Sequence, residues 1–290
     1  MLEPELVLDL RADLLEGPVW DAARARLLFV DIMRGHVHEF DPATSRERIL
    51  DVGQPVGAVT PTSRGDWVVA AWRGFCRVDP ETGRTSVIAE VEADRDDTRM
   101  NDGYVDPRGR LWAGTMSVVK APEQGALYRL DPDGSVRQML APVTTSNGID
   151  WSADGRLMYY VDTPTHRIDV FDFDADRGEI RNRRAFVTIP ESAGRPDGLV
   201  VDAEGGIWLA LFRGGAVHRY RPDGSLDLVI RFPVSLTTKP AFGGADLGDL
   251  FVTTASSALD ASQRAAEPHA GGLFRLRPGV RGRPANLFAG

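Results

Sequence analysis

The sequence predicts an all-β protein, a six-bladed β-propeller, and two observations support that prediction. Thirty glycines and nineteen prolines are spread over the 290 residues, and no stretch shows the long apolar periodicity of an amphipathic helix. In addition, one strand-and-turn unit recurs along nearly the whole chain. Short strands separated by many turns, in a regular repeat, are typical of closed ring folds.

The repeating unit reads as a strand, an Asp/Pro/Gly turn, a second strand, a polar link and a third strand. The third copy shows it best, with strands at 104–105, 111–113 and 125–130 and a turn from Asp106 to Gly109. The corresponding turns of the six copies fall at positions 21, 62, 106, 152, 202 and 244, which gives steps of 41, 44, 46, 50 and 42 residues. Propeller blades repeat at roughly 40 to 50 residues. Six copies fill the chain, so we expect a single domain over residues 1–290.

An apolar segment at residues 6–10 precedes the first repeat. Such a strand can pair with the last blade and cover a sheet edge that would otherwise be exposed. We therefore expect this segment to close the ring.

Charge and composition limit the possible partners. The net charge is −8 and the isoelectric point is about 5.2, so the protein repels phosphate backbones and anionic membranes, and we expect neither nucleic acid nor membrane binding. A single cysteine, Cys76, fits a reducing compartment. No signal peptide or membrane span is apparent in the sequence. We expect a cytoplasmic monomer or weak homo-oligomer that acts on a small molecule.

A glycine accompanies the first strand of each copy, and the sequence places it ahead of that strand. These glycines are Gly17, Gly57, Gly103, Gly148, Gly198 and Gly243. The residues before the first five are Glu16, Val56, Asp102, Asn147 and Asp197, with Asn101 one position further back in the third copy. Equivalent positions of a propeller converge on its axis, so we expect the oxygen-bearing side chains to meet there.

Carboxylates brought together repel one another unless a cation neutralises them. The coincidence of Glu16, Asn147 and Asp197 in one register therefore indicates one divalent metal ion. An all-oxygen donor set favours Ca, Mg or Mn, and Zn remains open. The alternative for each single pair is simple turn chemistry, because Asp-Gly and Asn-Gly are frequent turn formers.

Several stretches resemble signatures of the gluconolactonase and regucalcin (senescence marker protein) family, in the order in which the family has them. They lie at 15–21, 99–103, 113–116, 125–128, 146–151, 196–198 and 242–244. The resemblance covers essentially the whole chain. It implies a six-bladed propeller that hydrolyses a sugar lactone to the aldonic acid, with calcium or another divalent ion at the axis.

The resemblance also implies roles for individual residues. Glu16, Asn147 and Asp197 would hold the metal, while Arg99 and Asn101 would contact the substrate. Asp197 would double as the catalytic base, although a hydroxide formed with the metal's help would make a separate base unnecessary. A bound divalent ion can polarise the ester carbonyl of a lactone and lower the pKa of a water.

Two segments depart from the family pattern and leave the substrate open. Residues 117–120 read Ser-Val-Val-Lys, where animal members carry acidic residues, and residues 238–241 read Thr-Lys-Pro-Ala in place of small or thiol residues. The alternatives are a metal-dependent esterase or phosphotriesterase on the same propeller, and a non-enzymatic calcium-binding scaffold. We expect Arg99 and Asn101 to be dispensable in a pure scaffold, and their presence therefore favours an enzyme.

Overall fold

Short antiparallel strands make up most of the computed structural model, which describes residues 3–290. The strands are, in chain order, β1 (Glu5–Leu8), β2 (Leu15–Asp21), β3 (Arg26–Asp31), β4 (His36–Asp41), β5 (Arg46–Asp51), β6 (Val56–Pro61), β7 (Trp67–Ala71), β8 (Gly74–Val78), β9 (Thr85–Glu90), β10 (Thr98–Val105), β11 (Leu111–Ser117), β12 (Gly125–Leu130), β13 (Val136–Val143), β14 (Ser146–Trp151), β15 (Leu157–Asp162), β16 (Arg167–Asp174), β17 (Glu179–Thr188), β18 (Arg195–Val201), β19 (Ile207–Phe212), β20 (Ala216–Tyr220), β21 (Leu226–Arg231), β22 (Thr237–Gly243), β23 (Asp249–Thr254) and β24 (Leu273–Leu276). The helical elements are α1 (Ala261–Ala266) and the 3₁₀ turns Thr163–Thr165 and Glu191–Ala193.

Six four-stranded sheets form the blades of a ring. Blades 1 to 5 consist of β2–β5, β6–β9, β10–β13, β14–β17 and β18–β21, and blade 6 consists of β22, β23, β24 and β1. The first strand of each blade contacts the first strands of both neighbouring blades, and β22 contacts β2. The predicted six-bladed β-propeller is therefore confirmed, with the first strand of every blade nearest the axis.

Each blade contains one strand more than the repeat that the sequence revealed. The additional outer strands β5, β9, β13, β17 and β21 are mostly exposed or half-buried. Solvent contact on much of their surface removes the apolar pattern by which the inner strands were found.

The ring closes through β1, which pairs antiparallel with β24. Glu5 lies opposite Arg275, and Leu6 lies opposite Phe274. This confirms the predicted role of the segment before the first repeat, although the strand covers residues 5–8 rather than 6–10. The last blade thus contains strands from both ends of the chain.

The hydrophobic core lies between neighbouring blades. Each of the six blade–blade interfaces has its own cluster of buried apolar side chains. Between blades 3 and 4, for example, the rings of Trp112 and Trp151 meet edge to face with centroids 6.0 Å apart. Burial of such rings stabilises one blade against the next and fixes the distance of each inner strand from the axis.

Residues 279–290, here called the tail, cross the ends of the inner strands. The tail forms hydrogen bonds with at least one residue in each of five blades. From blade 6 to blade 2, such residues are Leu247, Ala203, Trp151, Val105 and Pro61. Because it lies where the inner strands end, the tail covers one end of the axial channel. The tail does not cross the opposite end, where the inner strands begin, so a ligand-binding site can form there.

Within residues 3–290, no helix has the length and apolar character needed to cross a membrane.

Phe288 tests how much the tail contributes to stability. Its side chain is 1% exposed and packs in the cluster between blades 2 and 3. Phe288→Ala should lower the free energy of unfolding by about 3–5 kcal/mol, since it removes a buried ring and leaves a cavity. The neighbouring Leu287 is 42% exposed, so Leu287→Ala should change it by less than about 0.5 kcal/mol. Urea unfolding measures the free energy of unfolding of both variants. If Phe288→Ala loses no more of it than Leu287→Ala does, the tail is not part of the folded core.

Candidate metal and substrate site

The pairing of every inner strand with its neighbour is interrupted near the strand's beginning. The register shifts lie at Glu16/Val19, Val56/Ala58, Met100/Gly103, Ser146/Ile149, Pro196/Leu199 and Thr237/Pro240. Bulges redirect side chains and are common beside functional sites. Here they bring polar residues of several blades to the uncovered end of the channel.

The glycines that marked this register lie inside the inner strands rather than ahead of them. Gly148 shows why they are needed, because a Cβ there would come within 2.7 Å of the Asp197 carbonyl oxygen in the next blade. In blade 6 the register assigned from the sequence is wrong. Gly243 is the last residue of β22, far from the bulge.

Arg99, Asn101 and Asn147 form a chain of buried side chains across blades 3 and 4. Arg99 Nη1 donates to Asn101 Oδ1 at 2.8 Å, and Asn101 Nδ2 lies 2.8 Å from the Ser146 carbonyl oxygen and 3.5 Å from Asn147 Oδ1. The structure thus brings together the residues predicted to contact substrate and one residue predicted to bind metal.

Asn147 links this chain to blade 5. Its Nδ2 donates to Thr163 Oγ1 at 2.9 Å, and the Thr163 hydroxyl donates to the Pro196 carbonyl oxygen at 2.9 Å. The nearby Asn147 side chain also lowers the pKa of the Asp197 carboxyl group, though less than burial raises it. Because the Asn147 amide nitrogen is occupied by its hydrogen bond to Thr163, its Oδ1 atom is the one that could bind a metal ion.

Glu16 approaches from blade 1 and is 4% exposed. Its carboxyl oxygen Oε2 accepts a 3.0 Å hydrogen bond from the Gly17 backbone N–H. Within residues 3–290 it makes no other side-chain hydrogen bond, and it acts on Asp197 and Arg99 through its charge. Glu16 therefore belongs to the same buried charge cluster without being fixed to the other side chains.

Sequence reasoning gave no role to an ion pair across the channel. Lys239 Nζ, from blade 6, contacts Asp102 Oδ1 of blade 3, and the two side chains are 3% and 1% exposed. Blades 3 and 6 are opposite in a ring of six, so this contact spans the axis. The sequence marks position 239 only as a departure from the family pattern, and no sequence signal indicates the bulge of β22 that brings Lys239 to the axis.

The buried carboxyl groups hold protons more tightly than exposed ones do. Burial, and then the charge of Asp102, raise the pKa of Glu16 to about 8. Burial, and then the charge of Glu16, raise the pKa of Asp197 well above its ordinary value. Lys239 lowers both pKa values, but less than burial raises them.

This donor set fits a divalent cation. The Lys239 ammonium offsets the charge of Asp102, which leaves the two carboxylates of Glu16 and Asp197 for the ion to neutralise. Asn147 adds a neutral oxygen, and oxygen donors suit Ca²⁺, Mg²⁺ and Mn²⁺. Within the described residues, no three His, Cys, Asp or Glu side chains are grouped as a metal site, and the third candidate donor is the Asn147 amide oxygen.

The fold and this arrangement define a class of propeller proteins with an acidic and amide-bearing axial site, and comparison with known proteins identifies it. Residues 14–256 match the SMP-30/Gluconolactonase/LRE-like region. The chain belongs to this family, as the sequence signatures indicated.

Individual relatives cover nearly the whole chain. Rabbit (Oryctolagus cuniculus) regucalcin is 37% identical over 282 residues, which is 95% of this chain and 94% of the relative. The crystal structure of regucalcin from Agrobacterium tumefaciens, described as a calcium-binding protein, has a TM-score of 0.95 with 32% identity and covers 99% of this chain and 97% of its own. A luciferin-regenerating enzyme has a TM-score of 0.94 with 30% identity and covers 100% of both chains.

The raised pKa of Glu16 predicts a pH-dependent cost in the metal-free protein. A carboxyl group whose pKa is about 4.5 unfolded and about 8 folded binds more protons in the folded state between those values, so its contribution to stability falls as pH rises through that window. Metal-free Glu16→Gln should therefore gain melting temperature over the unsubstituted protein as pH rises from 5 to about 8, with no further gain above. Thermal unfolding across this pH range measures the difference in melting temperature between Glu16→Gln and the unsubstituted protein. The control is Glu81→Gln, since Glu81 is exposed. A difference in melting temperature that does not change with pH would contradict the burial of an ionisable Glu16.

Proposed function

We propose that this protein hydrolyses a sugar lactone to its aldonic acid and that one divalent metal ion supports the reaction. The observation that carries the proposal is the meeting of two buried carboxyl groups, an amide oxygen and a buried arginine at the open end of the channel. Candidate metal ligands and a candidate cationic substrate contact would thus lie at one end of the channel. Membership of a family named after gluconolactonase supports the same reaction.

Glu16, Asn147 and Asp197 would hold the ion. Once bound, the ion supplies Lewis-acid polarisation of the ester carbonyl and lowers the pKa of a nearby water. Burial raises the pKa values of both carboxyl groups, so a bound cation would favour their ionised forms. The bound cation would therefore also determine whether Glu16 and Asp197 are ionised during the reaction.

Arg99 is placed to bind substrate oxygens. It is 8% exposed, and no carboxylate among residues 3–290 lies within ion-pair distance of it. Its hydrogen bonds to the Met100 carbonyl and to Asn101 both start from Nη1, so Nε and Nη2 are available to a ligand. Burial lowers its pKa only to about 10, and the guanidinium stays charged at neutral pH and can stabilise a developing oxyanion.

Asp197 would take the proton of the attacking water, and Asn101 would orient a substrate hydroxyl. Asp197 is buried and interacts through charge with Glu16, so a water near the proposed ion would lie within reach of its carboxyl group. General bases contribute about 10²–10⁴-fold to a rate when they are positioned in this way.

The loop at 117–124 forms the rim beside Arg99, because Arg99 pairs with Met116 just before it. Val118 and Val119 are exposed on this loop. The acidic segment 90–97 holds the loop in place, since Arg95 Nη1 donates to the Gln124 carbonyl at 2.7 Å and the Val118 N–H donates to the Asp97 carbonyl at 2.9 Å.

Calcium binding without catalysis is a second candidate function, favoured by the description of the Agrobacterium relative as a calcium-binding protein. The same donors would serve it. It differs in requiring no role for Arg99.

Acid release from several pentono- and hexonolactones tests the proposal. The metal-stripped protein should be inactive, and one of Ca²⁺, Mg²⁺, Mn²⁺ or Zn²⁺ should restore hydrolysis of at least one lactone. Arg99→Met should reduce kcat/KM by about 10²-fold or more without abolishing metal binding, because it removes a charged donor to the substrate but none of the proposed metal ligands.

Arg137→Gln is the matched control, because Arg137 is exposed and, within residues 3–290, forms an ion pair only with the half-buried Glu179 on the surface of blades 3 and 4. Its activity should match that of the unsubstituted protein. Metal-loaded protein that is inert on every lactone would overturn the proposal. Hydrolysis of phosphotriesters or other esters instead would assign the same site to a different substrate, and inactivity on all esters would leave calcium binding.

A further inference from the structure

The Lys239–Asp102 ion pair is unusual for its place and its environment. The Lys239 side chain crosses the channel from blade 6, and its carbon stem runs over Gly198, where a Cβ would lie 2.4 Å from Lys239 Cγ. Its ammonium lies 5.7 Å from the centroid of the Tyr104 ring. The stem therefore follows a path that the inner strands leave open for it.

Asp102 depends on this lysine for compensation. Its Oδ1 accepts from the Gly103 N–H at 2.7 Å and from Lys239. Its Oδ2 is buried and has no hydrogen-bond partner within residues 3–290. A buried carboxylate with an unpartnered oxygen is costly unless a cation lies beside it.

A second buried pair in the same blade shows the contrast. Asp106 pairs with Arg110, and it also accepts from the backbone N–H of Arg108 and from Trp112 Nε1. Removal of Arg110 would leave Asp106 with several donors. Removal of Lys239 would leave Asp102 with one.

We propose that the Lys239 ammonium takes the place of a second cation in the axial channel and thereby limits the site to one metal ion. Asp102 is the latent ligand: it is directed at the axis, it lies next to the proposed metal site, and one of its oxygens is unpartnered. The inference rests on the proposed metal site for the first ion, but the role assigned to Lys239 and Asp102 is independent of lactone hydrolysis.

The test compares metal content and stability. Lys239→Ala removes the charge and opens space for an ion with its waters. Equilibrium dialysis against Mn²⁺ or Ca²⁺, followed by metal analysis, should give one ion per chain for the unsubstituted protein and two for Lys239→Ala. The melting temperature of metal-free Lys239→Ala should fall, and added Mn²⁺ or Ca²⁺ should raise it more than it raises that of the unsubstituted protein.

Two control variants separate this from a general loss of stability. The double variant Asp102→Asn/Lys239→Ala should return to one ion per chain, because the latent ligand is gone. Arg110→Ala breaks the other buried pair and should lose stability without gaining an ion.

The outcomes distinguish the two proposals. If Lys239→Ala is folded and binds the same number of ions as the unsubstituted protein, the role of Lys239 is wrong, whatever the lactonase result. The same conclusion holds if Lys239→Ala folds neither with nor without metal while the double variant folds. If the unsubstituted protein binds no ion and Lys239→Ala binds one, the role of Lys239 stands and the proposed metal-dependent function fails.

Discussion

Burial of charge at the axis is the constraint on which the site depends. Three carboxyl groups, on Glu16, Asp102 and Asp197, share the channel with the cationic side chains of Arg99 and Lys239, and all five are less than 9% exposed. In a medium of low dielectric constant, such groups must be compensated locally. Lys239 compensates Asp102 by direct contact, and we propose that the remaining pair of acids is compensated by a bound cation.

The propeller supplies the geometry for this cluster. Clusters of apolar side chains between blades hold six inner strands around one axis, and the bulge near the start of each strand turns polar residues inward. The tail covers the other end of the channel, where Arg283 bonds to Asp150 and to the Trp151 carbonyl. The tail thus covers one end of the channel, and the proposed substrate would approach the other end, where Arg99 and Asn101 lie.

The spacing of turns was enough to predict the six blades, because each inner and middle strand is apolar and each ends at a recognisable turn. The outer strands escaped prediction because solvent contact leaves them without an apolar pattern. Glu16, Asn147 and Asp197 could be selected from the sequence since they share a position before a glycine. Lys239 could not, because the sixth repeat was aligned on Gly243, whereas the structure places Lys239 in a bulge that no local pattern announces.

The tail was also invisible to sequence reasoning. It belongs to no repeat, and it hydrogen-bonds to backbone groups of five different blades. Such long-range bonds leave no periodic trace. The sequence does not distinguish Phe288 from an exposed apolar residue, and only the folded ring shows that it is buried.

The most direct test of this account is anomalous diffraction from crystals of the protein grown with Mn²⁺. The account predicts one strong peak at the uncovered end of the channel, bonded to oxygens of Glu16, Asn147 and Asp197 at roughly the 2.0–2.6 Å typical of hard divalent cations. The absence of a peak there under saturating Mn²⁺, or a peak bound by other residues alone, would contradict the claim that a cation compensates the buried acids.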